Sequence, residues 1–479
     1  MKRCSVALPL TLMAGFSGIA DAQPRAGETA IVFESDAGDS VDAYEGSLSV
    51  PENRNVADSR EITLKYVRFP ATGETPGAPI VYLSGGPGGS GIQTAKYQRF
   101  PLFMAMREFG DVIAFDQRGT GASNDLPKCT SSHHVSATER MSDAEFFALE
   151  RTAFGECLDY WKSEGVDVHG YTTTESVSDL GALRRHLGSE QIDLWGISYG
   201  SHLSLAALQQ IDDQIGRVVI TSVEGLDQTV KQPRRGDAYF DRLQSAIDKV
   251  PSAKAKYPDV KALIARVLTS LEQTPLLLEI PTQGEGTAPY LLQKRDLQKI
   301  TSALVADPAR AVWILDIFRA LDAGETAPVI ALMQRAVDPT DTALSFRPMT
   351  VLMDVVSGSS PERRAMIAQQ AETALMGPHM NFSMHLETVD ASLDLGDTFR
   401  TAPVSDVPTL VISGTLDGRT YPESGQEATA GLSNRQTVMV ENGGHNVFMQ
   451  SPEITSVIQD FMRGETVDGR EIYIELPEF

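Results

Sequence analysis

Cysteine is scarce in this sequence, and no metal-binding spacing is present. Three cysteines occur among the 479 residues, at positions 4, 129 and 157. No Cys-x-x-Cys, His-Glu-x-x-His or comparable group of ligands occurs. The sequence therefore does not predict a zinc site or any other metal centre.

Basic residues are also few. The chain has 41 Lys and Arg residues against 64 Asp and Glu residues, which gives a formal net charge of -23. Nucleic-acid binders need a positively charged surface, so this balance argues against that class. Most acidic proteins are simply well solvated, so the charge indicates no particular partner, and nothing in the sequence indicates an oligomeric state.

Long hydrophobic runs are missing beyond the start of the chain. Two basic residues at positions 2 and 3 precede an apolar stretch, residues 6–19, which ends in an Ala-Asp-Ala segment. This pattern is typical of a signal peptide and predicts cleavage after Ala22 and export to the periplasm or the extracellular space. The stretch is too short to span a bilayer, so we expect no stable membrane insertion.

Export bears on the two later cysteines. Cys4 precedes the apolar stretch and would be removed with the signal peptide, which leaves Cys129 and Cys157. An oxidising compartment favours a disulfide between them. The alternative is that both residues are free, buried thiols.

The order of elements predicts the α/β class, with a mostly parallel sheet flanked by helices. From residue 46 to residue 220, short apolar β-rich runs alternate with helical stretches. The predicted strands are 62–69, 80–83, 112–115, 192–195 and 217–220. The predicted helices are 103–109, 144–162 and 176–187, the last one closed by Gly188.

A helical segment interrupts this pattern. Residues 232–399 have helical periodicity and few β-branched runs, and the α/β pattern resumes with strands at 409–413 and 437–440. We therefore predict four segments: a signal peptide (1–22), the first part of a catalytic domain (23–230), a helical lid insertion (231–399) and the second part of the catalytic domain (400–479).

A candidate nucleophile lies in the segment Gly196-Ile197-Ser198-Tyr199-Gly200. The segment follows a predicted strand and precedes a helical stretch. In such a strand–turn–helix the serine occupies a strained turn, and glycines on both sides let the strand and helix approach each other. Loops also produce this motif by chance, but its setting here favours Ser198 as a nucleophile.

A serine hydroxyl needs a base to remove its proton and an acid to orient that base. Asp417 and His445 each follow a predicted strand, and the chain order Ser198, Asp417, His445 is that of α/β hydrolases. Since parallel strands end at one edge of a sheet, the three residues are expected to meet there. Either Asp417 or His445 alone would be interpreted as an ordinary loop residue. His202, on the helix after Ser198, is expected to pack in the core.

A glycine-rich segment, residues 84–91, follows the predicted strand at 80–83. An oxyanion hole needs two backbone N–H donors aimed at the developing negative charge. We predict that Tyr199 provides one donor and that the glycine loop provides the other, since glycine lets the backbone approach the substrate. Of the two glycines considered, Gly86 is favoured over Gly85.

The same segment formally matches the dinucleotide-binding pattern G-x-G-x-x-G, and Asp116 ends the next predicted strand. A nicotinamide-dependent oxidoreductase is therefore an alternative. Against it, Pro87 lacks an N–H for a phosphate, no helix is predicted to begin at Gly91, and exported proteins rarely meet free dinucleotide. We expect no cofactor.

Taken together, these motifs resemble the proline iminopeptidase and tripeptidyl aminopeptidase family of α/β hydrolases, in particular its larger secreted branch. The similar segments keep the order found in that family and cover most of the predicted catalytic domain: 85–90 (GGPGGS), 115–123 (FDQRGTGAS), 195–200 (WGISYG), 414–417 (GTLD) and 444–445 (GH).

The resemblance implies an exported aminopeptidase with peptide or small-molecule substrates, a helical lid and a cysteine pair. It assigns the triad and oxyanion roles to the residues named above. Family members hold the substrate's free ammonium with carboxylates near the lid, for which Glu224 and Asp354 are the candidates; for each, an ordinary surface acid is the alternative. A carboxylic-ester hydrolase of the same fold and a non-catalytic binding protein are the other functional alternatives.

Overall fold

The computed structural model describes residues 23–124, 126–282, 284, 286–380 and 384–478. The predicted signal peptide, residues 1–22, lies outside the described residues. Within the described part of the chain, no helix combines the length and the apolar character that crossing a membrane requires.

The strands, in chain order, are β1 (Thr29–Glu34), β2 (Ser40–Pro51), β3 (Glu61–Phe69), β4 (Ile80–Leu83), β5 (Val112–Phe115), β6 (Cys129–His134), β7 (Ile192–Ile197), β8 (Ile215–Thr221), β9 (Leu276–Pro281), β10 (Thr287–Leu292), β11 (Ala343–Phe346), β12 (Thr409–Gly414), β13 (Arg435–Glu441) and β14 (Glu471–Tyr473).

Ten of these strands form one sheet in the order β1-β2-β3-β5-β4-β7-β8-β12-β13-β14. The pairings from β1 to β5 through β2 and β3 are antiparallel, and every pairing from β5 to β14 is parallel. The predicted α/β class with a mostly parallel sheet is confirmed. The non-sequential order places β7 near the centre of the sheet, between β4 and β8.

Both faces of the central strands are buried. Ile80 and Tyr82 of β4 pack into one hydrophobic cluster, whereas Val81 and Leu83 of the same strand pack into another. Successive side chains of a strand point to opposite faces, so the two clusters lie on opposite sides of the sheet. A parallel sheet covered on both faces produces the near-continuous apolar runs that made these strands predictable.

The helices are α1 (Gly91–Lys96), α2 (Phe100–Met106), α3 (Asp143–Ser163), α4 (Thr173–His186), α5 (Tyr199–Gln210), α6 (Pro233–Ile247), α7 (Pro251–Lys256), α8 (Val260–Gln273), α9 (Lys294–Leu304), α10 (Pro308–Asp322), α11 (Ala327–Ala336), α12 (Pro348–Ser357), α13 (Pro361–Ala371), α14 (Gly396–Arg400), α15 (Pro422–Ala428) and α16 (Pro452–Met462).

Local signals explain several helix boundaries. α2 begins three residues earlier than predicted because Pro101 occupies its first turn, where a missing N–H costs nothing. α4 ends as predicted before Gly188, which has a positive φ of 66° and whose N–H donates to the carbonyl of Arg185. The capping box between Ser142 and Glu145 begins α3.

The segment between β8 and β12 is mainly helical but also contains strands that the sequence did not predict. β9 and β10 form an antiparallel hairpin, and β11 pairs with β6, which lies before the segment in the chain. β9 begins with three consecutive leucines and no turn-forming residue, so its sequence also fits a helix. β6 is polar, with the sequence Cys-Thr-Ser-Ser-His-His, and lacks the usual strand composition.

A hydrophobic cluster within this segment also includes residues of the later loops. Helices α6, α8, α10 and α11 contribute most of the cluster, and Leu416 and Tyr421, which lie on either side of Asp417, pack into it. The helical segment is therefore packed directly against the loop that follows β12.

Cys129 on β6 and Cys157 on α3 are joined by a disulfide, and both residues are buried. Their sequence separation is 28 residues. The disulfide ties α3 to the strand that pairs with β11.

Reduction of this disulfide is expected to lower the free energy of unfolding by about 3 kcal/mol, because it releases a loop that the bond constrains in the unfolded chain. Denaturant unfolding with and without a thiol reductant measures the difference. The Cys129→Ser/Cys157→Ser variant is the control: its stability should not respond to the reductant. An equal stability of the oxidised and reduced wild type would contradict the expectation.

Candidate active site

Ser198 occupies the turn between β7 and α5. Its φ of 55° and ψ of -124° lie outside the regions that residues with a side chain usually adopt. The backbone N–H of Ser198 donates to the carbonyl of Thr221 at the end of β8, at 3.2 Å. The strained turn is thus held by the neighbouring strand.

Close backbone contacts explain the two glycines that flank this turn. A Cβ on Gly200 would lie 2.0 Å from the carbonyl oxygen of Leu83 on β4, and a Cβ on Gly196 would lie 2.5 Å from the carbonyl oxygen of Gly200. Neither position has room for a side chain. The start of α5 therefore lies in close contact with the end of β4, which agrees with the prediction that the two glycines let strand and helix approach each other.

Asp417 lies in the turn after β12 and accepts several hydrogen bonds. Its carboxylate receives the backbone N–H groups of Arg419, at 2.8 Å, and Thr420, at 2.9 Å, as well as the Thr420 hydroxyl at 2.7 Å. Burial acts to raise the pKa of Asp417, but the charge and hydrogen bond of His445 and the bonds from Thr420 outweigh it and lower this pKa. The residue is therefore a carboxylate at neutral pH.

His445 follows β13 and faces Asp417. The distance from His445 Nδ1 to Asp417 Oδ2 is 3.0 Å. With Nδ1–H donating to the carboxylate, Nε2 is left as the proton acceptor on the other side of the ring. This is the tautomer that a general base for a serine requires.

A hydrogen bond links the His445 loop to the backbone beside Ser198. The Ser222 hydroxyl donates to the carbonyl of His445 at 2.5 Å, and Ser222 directly follows Thr221, the residue whose carbonyl holds the Ser198 N–H. The structure thus brings the loops that carry Ser198, Asp417 and His445 to one edge of the sheet, in the arrangement that strand order predicted.

Two consecutive residues between α9 and α10 hold the acid and base loops. The carbonyl of Val305 accepts the N–H of Gly418 at 3.2 Å, and the carbonyl of Ala306 accepts the N–H of His445 at 2.7 Å. A Cβ on Gly418 would lie 2.4 Å from the Val305 oxygen, so this contact requires glycine. Sequence reasoning did not find these two residues, because backbone carbonyls carry no sequence signature.

Thr420 is a second functional residue that sequence reasoning missed. Besides bonding Asp417, its hydroxyl oxygen lies 3.1 Å from His445 Nδ1. The only available signal was the threonine three residues after the acid, a spacing that is typical of a turn capped by an Asp side chain. The hydroxyl supports the ionised form of Asp417 and fixes the orientation of its carboxylate.

The glycine-rich loop lies directly against the nucleophile. A Cβ on Gly85 would be 3.1 Å from Ser198 Cβ, and Gly86, with a φ of 129°, lines a cavity together with Ser198. Tyr199 is the first residue of α5, where backbone N–H groups have no acceptor within the helix. These three predicted oxyanion residues therefore surround Ser198.

The cavity at Ser198 measures about 170 Å³ and contains both predicted amine-binding carboxylates. Glu224 follows β8, Asp354 lies on α12, and both are buried. Glu224 forms an ion pair with Lys231, whose ammonium also donates to the carbonyl of Gln228 at 3.0 Å. The remaining lining residues are Thr229, Lys299, Ser302, Ala303, His379, Met380 and Arg419.

The structure corrects one argument used against a dinucleotide site. Helix α1 does begin at Gly91, because the Ser90 side chain caps it by accepting the N–H of Gln93. Asp116, however, is buried and accepts bonds from the Ser90 hydroxyl at 2.6 Å and from the N–H of Ala122 at 2.7 Å. The carboxylate that a ribose would need is thus engaged within the protein.

His202 packs in the core, as predicted. Its Nδ1 lies 3.1 Å from the carbonyl of Gly225 and its Nε2 lies 3.2 Å from the Ser357 hydroxyl. Burial lowers the pKa of His202, so the ring is neutral. Among the residues described, no group of His, Cys, Asp and Glu side chains is arranged to hold a metal ion.

A mostly parallel sheet with a serine in a strained strand–turn–helix, followed in sequence by a paired Asp and His, defines the class of α/β hydrolases. Residues 78–321, more than half of the chain, match the family described as alpha/beta hydrolase fold. The chain belongs to this family. Residues 396–473 match a second family, described as TAP-like protein.

Three curated relatives illustrate the similarity. Serine protease Hip1 of Mycobacterium tuberculosis is 28% identical over 184 residues, 36% of this chain and 35% of the relative. Putative hydrolase YuaR of Escherichia coli is 28% identical over 276 residues, 54% of this chain and 52% of the relative. Tripeptidyl aminopeptidase of Streptomyces lividans is 28% identical over 187 residues, 37% of this chain and 35% of the relative. The matches thus span about a third to a half of these relatives.

Replacement of Thr420 by Val is expected to lower kcat roughly tenfold, because the buried Asp417 carboxylate loses a hydrogen bond worth about 1.5 kcal/mol. Thr420→Ser keeps the hydroxyl and should retain most of the rate. Steady-state kinetics on one substrate compares both variants with the wild type. A wild-type rate in Thr420→Val would show that the hydroxyl is not what matters.

Proposed function

We propose that this protein is an exported serine aminopeptidase that releases N-terminal residues or short peptides through an acyl-enzyme on Ser198. One observation carries the proposal: a single small cavity contains Ser198 together with the buried carboxylates of Glu224 and Asp354. A free amino terminus distinguishes the substrates of an aminopeptidase from those of other hydrolases. Relatives named serine protease and tripeptidyl aminopeptidase agree with this activity.

In the proposed reaction, His445 Nε2 accepts the hydroxyl proton while Ser198 Oγ attacks the scissile carbonyl carbon. The C–N bond then breaks, and His445 donates the same proton to the leaving amine. A water molecule attacks the resulting ester, again with His445 as base, which releases the N-terminal product and restores the Ser198 hydroxyl. Asp417 remains a carboxylate throughout and stabilises the protonated imidazole.

We assign stabilisation of the negatively charged oxygen of the tetrahedral intermediate to the backbone N–H groups of Tyr199 and Gly86. Both groups belong to backbone that is closely packed: the start of α5 contacts the end of β4, and the glycine loop packs on Ser198. Donors that are already in place before the reaction stabilise the intermediate without reorganisation. Gly85 contributes by its close packing rather than as the favoured donor.

We assign binding of the substrate ammonium to Glu224 and Asp354. Both carboxylates line the cavity, and Glu224 is paired with Lys231. An ammonium group that enters the cavity interacts with these carboxylates, which offsets the cost of removing the ammonium from water. We further propose that residues 231–399 act as a lid, since Asp354, His379 and Met380 from this segment line the cavity.

Export is supported by the disulfide, because such bonds persist in oxidising compartments. We propose that residues 1–22 are a signal peptide cleaved after Ala22, and that the mature enzyme acts in the periplasm or outside the cell. The native enzyme would then react with a fluorophosphonate in that fraction.

Replacement of Ser198 by Ala is expected to abolish both labelling by a fluorophosphonate probe and hydrolysis of aminoacyl arylamides, since the proposed ester forms on the Ser198 hydroxyl. Gel fluorescence of the labelled protein and arylamine release measure the two effects. Unchanged thermal unfolding of the variant is the control for folding. Labelling that persists on another residue would refute the assignment.

Blocking the substrate's amino terminus is expected to lower kcat/KM at least about tenfold, the effect of losing one charge-assisted contact. Free and N-acetylated peptide arylamides and simple esters form the test panel. Asp354→Asn should reduce the preference for the free amine, whereas Asp341→Asn, which removes an exposed acid elsewhere in the segment, should not. Efficient turnover of esters with no preference for free amines would instead indicate a carboxylic-ester hydrolase.

A further inference from the structure

The cavity at Ser198 contains cationic side chains that the proposed ammonium binding does not use. Lys231 is paired with Glu224. The ammonium of Lys299 lies 4.5 Å from the ring centroid of Phe146 and 3.8 Å from a carboxylate oxygen of Glu150. Both lysines thus already have protein partners.

Arg419 differs from these two lysines. Its side chain lines the cavity and is partly buried, yet its guanidinium makes no hydrogen bond or ion pair with any residue in the described part of the chain. A guanidinium stays charged at every physiological pH and offers a planar set of N–H donors. A small cavity that exposes such a group is suited to an anion.

The position of Arg419 is fixed relative to the catalytic residues. Its backbone N–H donates to Asp417 at 2.8 Å, and the preceding Gly418 packs against the carbonyl of Val305. The side chain therefore starts from a rigid point two residues after the acid. The carboxylate of Asp417 already has hydrogen-bond partners in Thr420 and His445.

We propose that Arg419 binds a carboxylate of the substrate and makes the enzyme selective for short peptides that carry both a free ammonium and a nearby carboxylate. A carboxylate matches the guanidinium with two parallel hydrogen bonds. This inference rests on the proposed aminopeptidase function and assigns a binding residue to a second charged group of the substrate, its carboxylate. The carboxylate can come from an Asp or Glu side chain or from the free carboxyl terminus of a short peptide.

The charges of the cavity agree with a substrate of this kind. The cavity presents the carboxylates of Glu224 and Asp354 to an ammonium group and the guanidinium of Arg419 to a carboxylate. A substrate with both groups therefore finds a group of opposite charge for each of them. A substrate with the ammonium alone leaves the guanidinium without an ion partner in a partly buried site, which is unfavourable.

Four matched peptides with free amino termini test the proposal. Two of them end in a carboxylic acid and two in an amide, and within each pair one peptide has Glu and the other Gln at a chosen position. The set is repeated with that position moved along the peptide. Mass spectrometry of the products gives kcat/KM for each. The wild type is expected to prefer a carboxylate-bearing form, and the pair that shows the preference identifies its source. Arg419→Gln should lower kcat/KM for that form about 10- to 100-fold and leave the neutral forms nearly unchanged.

Two further variants sharpen the test. Arg419→Lys keeps the charge but loses the paired donors, so it should retain part of the preference. Arg310→Gln removes the same charge from an exposed position on α10 and should behave as the wild type. Equal losses in Arg419→Gln for charged and neutral peptides would overturn the proposal, because they would show that Arg419 acts through Asp417.

The failures of the two proposals are distinguishable. If the wild type hydrolyses free-amine peptides without any preference for a carboxylate, the role of Arg419 is wrong and the aminopeptidase function stands. If the wild type hydrolyses none of these peptides but does hydrolyse esters, the proposed function itself is wrong.

Discussion

Asp417 and His445, the proposed acid and base, lie in loops that two adjacent backbone carbonyls hold. Val305 accepts the N–H of Gly418 and Ala306 accepts the N–H of His445, so one short connection between α9 and α10 fixes the spacing of the two loops. The distance between His445 and Asp417 depends on this spacing, and so does the direction in which the imidazole faces. The helical segment is thus part of the support of the acid–base pair as well as a wall of the cavity.

Much of the sheet was predictable because its central strands are buried on both faces. β3, β4 and β5 have the predicted bounds to within one residue, and β7, β8, β12 and β13 are longer than predicted by one to three residues. β2 and β6, which were not predicted, lack this apolar signal. β2 is an edge-side strand with many exposed residues, and β6 forms only because β11 pairs with it from a distant part of the chain. When two paired strands are far apart in the chain, the amino-acid composition of neither strand indicates the pairing.

The same distinction holds at the site. Ser198, Asp417 and His445 could be predicted because each follows a strand, and parallel strands deliver their loops to one edge. Thr420 and the carbonyl of Ala306 act through contacts that exist only in the folded chain. The start of α1 at Gly91 was missed for a local reason, since Ser90 is both the helix cap and a donor to Asp116. Pro87 and the glycines around it are typical of a loop, so no helix was predicted to begin at Gly91.

The pairing of β6 with β11 changes how the segment from 231 to 399 can move. Phe346 of β11 is aligned with Cys129 of β6, and Cys129 is covalently bonded to α3. The segment is therefore held by more than its two chain connections, since this strand pair and the hydrogen bonds of the Val305 and Ala306 carbonyls also fix it. Displacement of the segment as a whole would have to break that pairing or those hydrogen bonds.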